Sequence, residues 1–418
     1  MSQLHRVILK RKALKDYELI IGAAAVEEIT AVARSLQGLR LLHINSSASG
    51  GGVAELLNSL AALEVNVGIQ AEWRVLAKNE RFFEVTKKIH NALQGKPGGL
   101  TGEEQRIYME ANEHYAAQMN DHFDAIIVHD PQPAAIRHFS PGSGSRWIWR
   151  CHIDTSQPDP EVWAFLQPLL QGYDAAVFTM QQFAPAGFSG PFLAFIPPAI
   201  DPLTAKNRAL PRYLCRDVVA ECGVDLAKPM ILQVSRFDPW KDPQGVIDAY
   251  HKVKKSLPEV QLVLIGAMAE DDPEAWEIYK TIREEDEKDP DLFVFTNLTG
   301  VHAHEVNAFQ RMADVVIQKS LREGFGLVVS EALWKETPVV AGDTGGIRLQ
   351  MQDGVGGFLV DSVAETADRT RYLLTHPEEA EAIARRGWDR VHEQFLMPRL
   401  LLDELKLLQS LVGTKQPA

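Results

Sequence analysis

Two cations stand five positions apart in Ser235-Arg236-Phe237-Asp238-Pro239-Trp240-Lys241-Asp242, directly after the apolar run Met230 to Ser235. On a loop beyond the carboxyl end of a strand, Arg236 and Lys241 can converge on a diphosphate and neutralise charge developing on a departing phosphate. The alternative is a solvated surface pair, with Asp238 and Asp242 as its counterions. A second stretch runs Lys319-Ser320-Leu321-Arg322-Glu323-Gly324-Phe325-Gly326-Leu327-Val328-Val329-Ser330-Glu331-Ala332-Leu333. Its Gly-Phe-Gly turn precedes a helix and so presents unpaired backbone N–H groups. Glu323, in the loop, can accept hydrogen bonds from sugar hydroxyls, and Glu331, inside the helix, from a ribose diol. Taken alone, Glu323 reads equally as a helix cap and Glu331 as an exposed helix residue.

Asn45-Ser46-Ser47-Ala48-Ser49-Gly50-Gly51-Gly52 follows another apolar run and leads into a helical pattern at Val53-Ala54-Glu55. Glycines there let backbone N–H groups approach an anion at a helix N-terminus. The pattern is not GxGxxG, because Glu55 occupies the last glycine position, and no GxxxxGK occurs, so nicotinamide and P-loop chemistry are disfavoured. A tight turn without a ligand remains the alternative. His152 follows the apolar run Trp147 to Cys151, where it is either a structural histidine or a functional one. Cys151 beside it reads as a small core residue.

These residues need strands that end where they begin. From Leu39 onward, short apolar runs alternate with amphipathic stretches, the mark of βαβ units and parallel sheets. In the first half the strands are Leu39 to Asn45, Ala71 to Ala77, Ala125 to His129, Trp147 to Cys151 and Ala175 to Thr179. Helical patterns cover Val53 to Leu63 and Gly102 to Asp121. The second half restarts with Met230 to Ser235, followed by Val260 to Gly266, Leu292 to Thr296, Asp314 to Gln318, Pro338 to Ala341 and Gly357 to Val360. Between the halves, three prolines in Ile196 to Thr204 favour an extended connector. The expectation is an α/β chain of two Rossmann-like domains, 1–200 and 201–390, facing an interdomain cleft that holds the site. A C-terminal segment, 391–418, carries leucines at helical spacing from Leu400 to Val412 and is expected to pack back on the N-terminal domain.

The 418 residues allow two full cores, and 45% apolar with 24% charged residues is ordinary for a globular protein. A net charge of −13 disfavours nucleic acid as a partner. Three cysteines without a CxxC pair suggest neither a disulfide framework nor a zinc site, and fit a reducing compartment. No signal-peptide pattern or spanning-length apolar segment appears, so the expected location is cytoplasmic, with no membrane partner. The one Asp-x-Asp, Asp289-Pro290-Asp291, lies in a charged stretch, and no metal or other cofactor is expected.

Arg236 and Lys241, then Glu323 and Glu331 around Gly324-Phe325-Gly326, with Gly51-Gly52-Val53, resemble the signature of retaining glycosyltransferases of family 4, which have a GT-B fold. Closer still, Asp16-Tyr17 to Ile21-Gly22, His43-Ile44-Asn45-Ser46, Phe82 to Lys87 with His90 to Gly95, His129-Asp130-Pro131-Gln132-Pro133 and Arg150-Cys151-His152-Ile153-Asp154 resemble the trehalose glycosyltransferring synthases. Related trehalose phosphorylases share the framework. One departure is Arg348-Leu349, where the wider family places Pro-Glu after Gly-Gly-Ile.

The resemblance implies that Arg236 and Lys241 hold the donor diphosphate, Glu331 the ribose, and Glu323 with the amides of Gly324, Phe325, Gly326 and Leu327 the transferred glucose. It implies that Thr299, Gly300 and Val301 meet the base, and that Gly51, Gly52 and Val53 close on the phosphates. His152 would touch the glucose, and Asp130 and Asp154 the acceptor. The implied partners are UDP-, ADP- or GDP-glucose, glucose and trehalose, in a homodimer. Alternatives are a retaining trehalose phosphorylase, or a family 4 glucosyltransferase with another acceptor.

Overall fold

A computed structural model describes residues 4–119, 121–142, 144–268 and 273–413. The chain forms two compact units, the described residues of Met1–Pro198 with Met397–Ala418, and Ala199–Leu396.

The first unit is built on seven strands: β1 (Leu4–Arg6), β2 (Arg40–Asn45), β3 (Gln70–Leu76), β4 (Ala125–His129), β5 (Arg146–Cys151), β6 (Ala175–Phe178) and β7 (Phe192–Phe195), in the order β1-β3-β2-β4-β5-β6-β7. Only β1 runs antiparallel, pairing Leu4 with Leu76. The central strands are mostly apolar because helices cover both faces of a parallel sheet, and all five residues of β4 are buried, His129 among them. Leu42, Ile44, Ile126, Val128, Trp147 and Trp149 carry this core. The helix Gly102–Ala116 begins on a reciprocal cap between Thr101 and Glu104 and stops short of the Asp121 that the pattern suggested. The helix Met397–Val412 belongs to this unit and buries Leu400, Leu401, Glu404, Leu405 and Leu408.

The second unit has β8 (Met230–Val234), β9 (Gln261–Gly266), β10 (Leu292–Thr296), β11 (Val315–Gln318), β12 (Val339–Gly342), β13 (Gln352–Asp353) and β14 (Gly356–Val360), in the order β10-β9-β8-β11-β12-β14-β13. Every pairing between these strands is parallel. Ile231, Leu262, Leu264, Ile317 and Val340 form the middle of its core. The proline-rich connector is extended only as far as Ile200, whose N–H donates to Phe395 O; Asp201 then starts a turn, accepting from Leu203 N at 2.9 Å.

Strand order locates the place where each sheet can take a ligand. In the first unit β2 is followed by β3 on one side, and β4 then lies on the other. In the second, β8 is followed by β9 on one side and has β11 on the other. At such a switch point the loops leaving the two strands diverge and open a crevice at their carboxyl ends. The loops concerned follow Asn45 and His129 in one unit, and Val234 and Gln318 in the other.

Candidate active site

In the second unit those two loops carry the cations and the carboxylate. Asp238 caps a short turn by accepting from Lys241 N at 3.2 Å, and its Oδ2 lies 3.2 Å from Arg236 Nη2. The turn aims Lys241 Nζ at Glu323 Oε2, 2.5 Å away and 82 residues on. Ser320 Oγ donates to the same oxygen at 3.1 Å. Arg236 remains 57% exposed, so a mobile cation stands beside a fixed one. Asp242 does not pair with Lys241: its Oδ1 accepts from Gly245 N at 3.1 Å, and Lys319 Nζ binds its Oδ2.

The Gly-Phe-Gly loop is held from beneath. Gly326 has φ +84°, which a side-chain-bearing residue adopts only with strain, and it starts the helix Leu327–Leu333. Gln350, fully buried, donates through Nε2 to Phe325 O and to Gly326 O, while Ser330 Oγ donates to its Oε1 at 2.5 Å. A Cβ on Gly346 would lie 2.5 Å from Gly324 O, so two backbones approach there too closely for any side chain. Arg348, at the departure from the family pattern, bonds Asp343 Oδ1 at 2.6 Å.

Glu331 is fully buried rather than an exposed helix residue, and Lys206 Nζ lies 2.9 Å from its Oε1. Neither carboxylate oxygen has a partner at hydrogen-bonding geometry among the described residues. Sequence reasoning missed Lys206, which sits in a turn after the connector with no motif to mark it. At the end of β10, Thr299 Oγ1 accepts from Thr296 N at 2.8 Å and Val301 N donates to Thr296 O. Leu298, Thr299 and Gly300 are the exposed part of that loop. Asp289 and Asp291 are taken by lysines: Lys254 Nζ lies 2.5 Å and 2.9 Å from them, and Lys228 Nζ lies 3.0 Å from Asp291.

In the first unit Asn45 accepts from Trp73 Nε1 at 2.6 Å and donates to Ser47 O at 2.8 Å, bracing the glycine loop. Gly51 is extended and caps the helix Gly52–Asn66; Gly51 and Gly52 are exposed and Val53 half-buried. Asp130 adopts φ 63° and accepts from His152 N at 2.8 Å. Burial pushes its carboxyl up to about 7. Asp154 Oδ1 accepts from Ser156 N at 2.9 Å, a local turn that does not join it to Asp130.

His152 is the outer member of a chain of rings. Its Nε2 lies 2.9 Å from His129 Nδ1; His129 Nε2 lies 3.1 Å from His43 Nδ1; and His43 Nε2 lies 2.9 Å from Glu64 Oε2. Glu64 faces Glu404, which Arg150 Nη1 binds at 2.7 Å. Burial, above all, holds the three imidazoles below their usual range, His43 at about 4, and raises both glutamates. Glu64 is pushed up to about 7 and Glu404 to about 8, so both carboxyls hold protons in mildly acidic solution and release them only near neutrality and above. His43, Glu64 and Glu404 are also the one group among the described residues close enough to share an ion, with ligand atoms within 4.8 Å. Arg150 already places a positive charge beside these groups, while Glu64 Oε1, Glu404 Oε1 and Arg150 Nη2 have no hydrogen-bond partner among the described residues. The sequence assigns no role to His43, His129, Glu64 or Glu404, because all four are buried within strands or helices with no loop glycine or spacing to mark them.

Two switch-point sheets, one carrying a lysine, an arginine and a carboxylate around a Gly-Phe-Gly turn, define a glycosyltransferase of the GT-B type. Comparison with known proteins agrees: residues 43–185 match the family described as trehalose synthase, N-terminal domain, and residues 220–390 match glycosyl transferases group 1. The trehalose synthase of Rubrobacter xylanophilus is 52% identical over 98% of this chain and 100% of its own, and that of Thermococcus litoralis 46% over 96% and 97%. A trehalose phosphorylase of Pleurotus pulmonarius is 27% identical over 83% of this chain and 54% of its own. The solved α,α-trehalose 6-phosphate synthase of Burkholderia multivorans has the same fold, with a TM-score of 0.71 at 18% identity over 90% and 99% of the two chains. The chain belongs to the trehalose synthase family and is a glycosyltransferase acting on trehalose. No helix among the described residues is long and apolar enough to cross a membrane.

Proposed function

We propose that this enzyme transfers an α-glucosyl group from a nucleoside diphosphate glucose to the anomeric hydroxyl of glucose, forming α,α-trehalose with retention. The observation that carries the reading is the contact of Lys241 with Glu323 at the switch point of the second unit, 2.5 Å long, beside the exposed Arg236. A diphosphate displacing that contact would gain two cations and leave Glu323 to accept from glucose hydroxyls. Glu331 would take the ribose diol in place of its contact with Lys206. The exposed backbone of Thr299 and Gly300 suits a base. In the first unit His152 would meet the glucosyl group, and the amides of Gly51, Gly52 and Val53 the phosphates.

Retention requires attack from the face the nucleotide leaves. The departing β-phosphate oxygen takes the acceptor's proton while Arg236 and Lys241 hold its growing charge. No protein carboxylate needs to form a covalent glucosyl intermediate, as the paired carboxylates of a retaining hydrolase do.

The test is incubation with glucose and UDP-, ADP- or GDP-glucose in turn, without added metal or phosphate, following trehalose and released nucleotide. Equal amounts of both would support the reading. Nucleotide release without trehalose would move the question to the acceptor. Glucose 1-phosphate appearing only from trehalose plus phosphate would replace the reading with a phosphorylase. Activity abolished by EDTA and restored by Mg²⁺ would overturn the metal-free mechanism.

A further inference from the structure

The ring chain that ends at His152 links a group suited to meet substrate with one sealed in the core. Glu64 lies on the helix Gly52–Asn66, His43 on β2, His129 on β4, and His152 immediately after β5. His43, His129 and Glu64 have no measurable exposure, whereas His152 is half-buried. Three consecutive contacts of 2.9, 3.1 and 2.9 Å use both nitrogens of His43 and of His129, and only Nε2 of His152. Nδ1 of His152 has no hydrogen-bond partner among the described residues.

A neutral imidazole carries one N–H and one lone pair, so each contact in the chain constrains the next. If the Glu64 carboxyl is protonated, it donates to His43 Nε2, His43 Nδ1 donates to His129 Nε2, and His129 Nδ1 donates to His152 Nε2. His152 Nδ1 then bears a hydrogen. If Glu64 is ionised, every donor reverses and His152 Nδ1 is bare. The two states differ by one proton. Going from the first to the second, the Glu64 O–H bond breaks and its proton passes to His43. Each ring then hands its Nδ1 proton to the next Nε2, and the Nδ1 proton of His152 leaves to water.

We propose that Glu64, acting through His43 and His129, sets which nitrogen of His152 is protonated, and so whether that ring meets the sugar as donor or acceptor. Its effect on catalysis rests on the reading of His152 as a sugar contact; the coupling of the rings does not. In this scheme Glu64, His43 and His129 are positioning residues. The charged and titratable groups facing them are Glu404 and Arg150, with Arg399 and its partner Asp403 on the helix of Glu404, and Asp130 at the His152 backbone. The bare form of His152 presents a lone pair to a glucosyl ring developing positive charge, so it is the faster form.

The test is histidine ¹⁵N NMR of the intact protein from pH 5 to 9, with the three rings assigned through His43→Gln, His129→Gln and His152→Asn. In the wild type, His152 Nδ1 changes from pyrrole-type to pyridine-type, and His43 and His129 switch tautomer at the same midpoint. Glu64→Gln abolishes this shared switch. Glu404→Gln, which keeps a neutral hydrogen-bonding group facing Glu64, leaves the shared switch in place. Rings that titrate at separate midpoints, a switch unchanged in Glu64→Gln, or a switch lost in Glu404→Gln, would overturn the coupling. In parallel, kcat/KM rises about tenfold through that midpoint in the wild type, the worth of one hydrogen bond, and less than about twofold in Glu64→Gln. A shared switch with a flat rate profile would preserve the coupling and overturn the sugar contact of His152.

Discussion

Replacing Arg150 with methionine should make the stability of the first unit steeply dependent on pH. Arg150 Nη1 lies 2.7 Å from Glu404 Oε2, with the two side chains only 3% and 2% exposed. Removing one partner of a buried ion pair costs about 3–5 kcal/mol, because the remaining charge is left without compensation. Here that charge can be neutralised. Burial and the facing Glu64 raise the Glu404 carboxyl to about 8, and without the guanidinium both carboxyls are protonated at pH 6. The folded wild type holds both protons there too, but toward pH 8 it releases one that the variant keeps, and a linked proton is worth about 1.4 kcal/mol per pH unit. The expected loss is about 2 kcal/mol at pH 6, for the hydrogen bond and packing, rising to about 3–4 kcal/mol at pH 8. Urea unfolding at the two pH values, followed by tryptophan fluorescence, measures it, since Trp73, Trp147 and Trp149 are fully buried in this unit. The double variant Arg150→Met with Glu404→Leu should recover most of the loss at pH 8. An equal loss at both pH values, or a double variant no more stable than the single one, would refute the reasoning.

Lys241→Ala should lower kcat by about 10²–10³-fold, the usual cost of one charge-stabilising donor, while circular dichroism stays unchanged; near-normal turnover would remove Lys241 from the mechanism. Gly346→Ala should raise the KM for the nucleotide sugar by about tenfold or more, because the new Cβ must push away Gly324 O, 2.5 Å distant, and with it the Gly-Phe-Gly loop. In the wild type, Asp130 at about 7, and Glu64 and Glu404, likewise raised, hold protons in the folded state that the unfolded chain releases near 4, so their contribution is lost as pH rises toward 8. His43, lowered to about 4, and His129 and His152, also held well below the usual range, act oppositely: their unfolded forms take protons below 6.5, which offsets the carboxyls as pH drops. Denaturant midpoints should therefore peak near about pH 6 and fall by roughly 2 kcal/mol by pH 8; a maximum above pH 8 would contradict the assignment.

Much of the fold was legible because parallel strands buried on both faces are predominantly apolar. Ala125 to His129 and Met230 to Val234 are such runs, and both are central strands. The strands that went unread are edges. Leu4–Arg6 is three residues long and largely exposed, and Phe192–Phe195 leaves its two phenylalanines 59% and 42% exposed. Edge strands lack the two-sided burial that writes a pattern into sequence. At the candidate site, glycine, loop position and spacing marked residues at strand ends. They could not reveal that Lys319 takes Asp242, or that Lys206 lies against Glu331, because such contacts depend on tertiary folding. The same holds for Arg150, whose partner Glu404 is 254 positions away.

That separation bears on how the protein is made. The second unit, Ala199–Leu396, is continuous in sequence and lies inside the interruption of the first. During synthesis Arg150 leaves the ribosome long before Glu404, and the sheet carrying it must wait while the whole second unit emerges. The second unit can therefore finish folding as a contiguous piece, while the first can only be sealed by the helix Met397–Val412. A nascent chain lacking that helix would hold a guanidinium with no counterion and an uncovered apolar face. Loss of a short C-terminal stretch should therefore expose the opposite end of the chain to proteases and chaperones, even with the second unit intact.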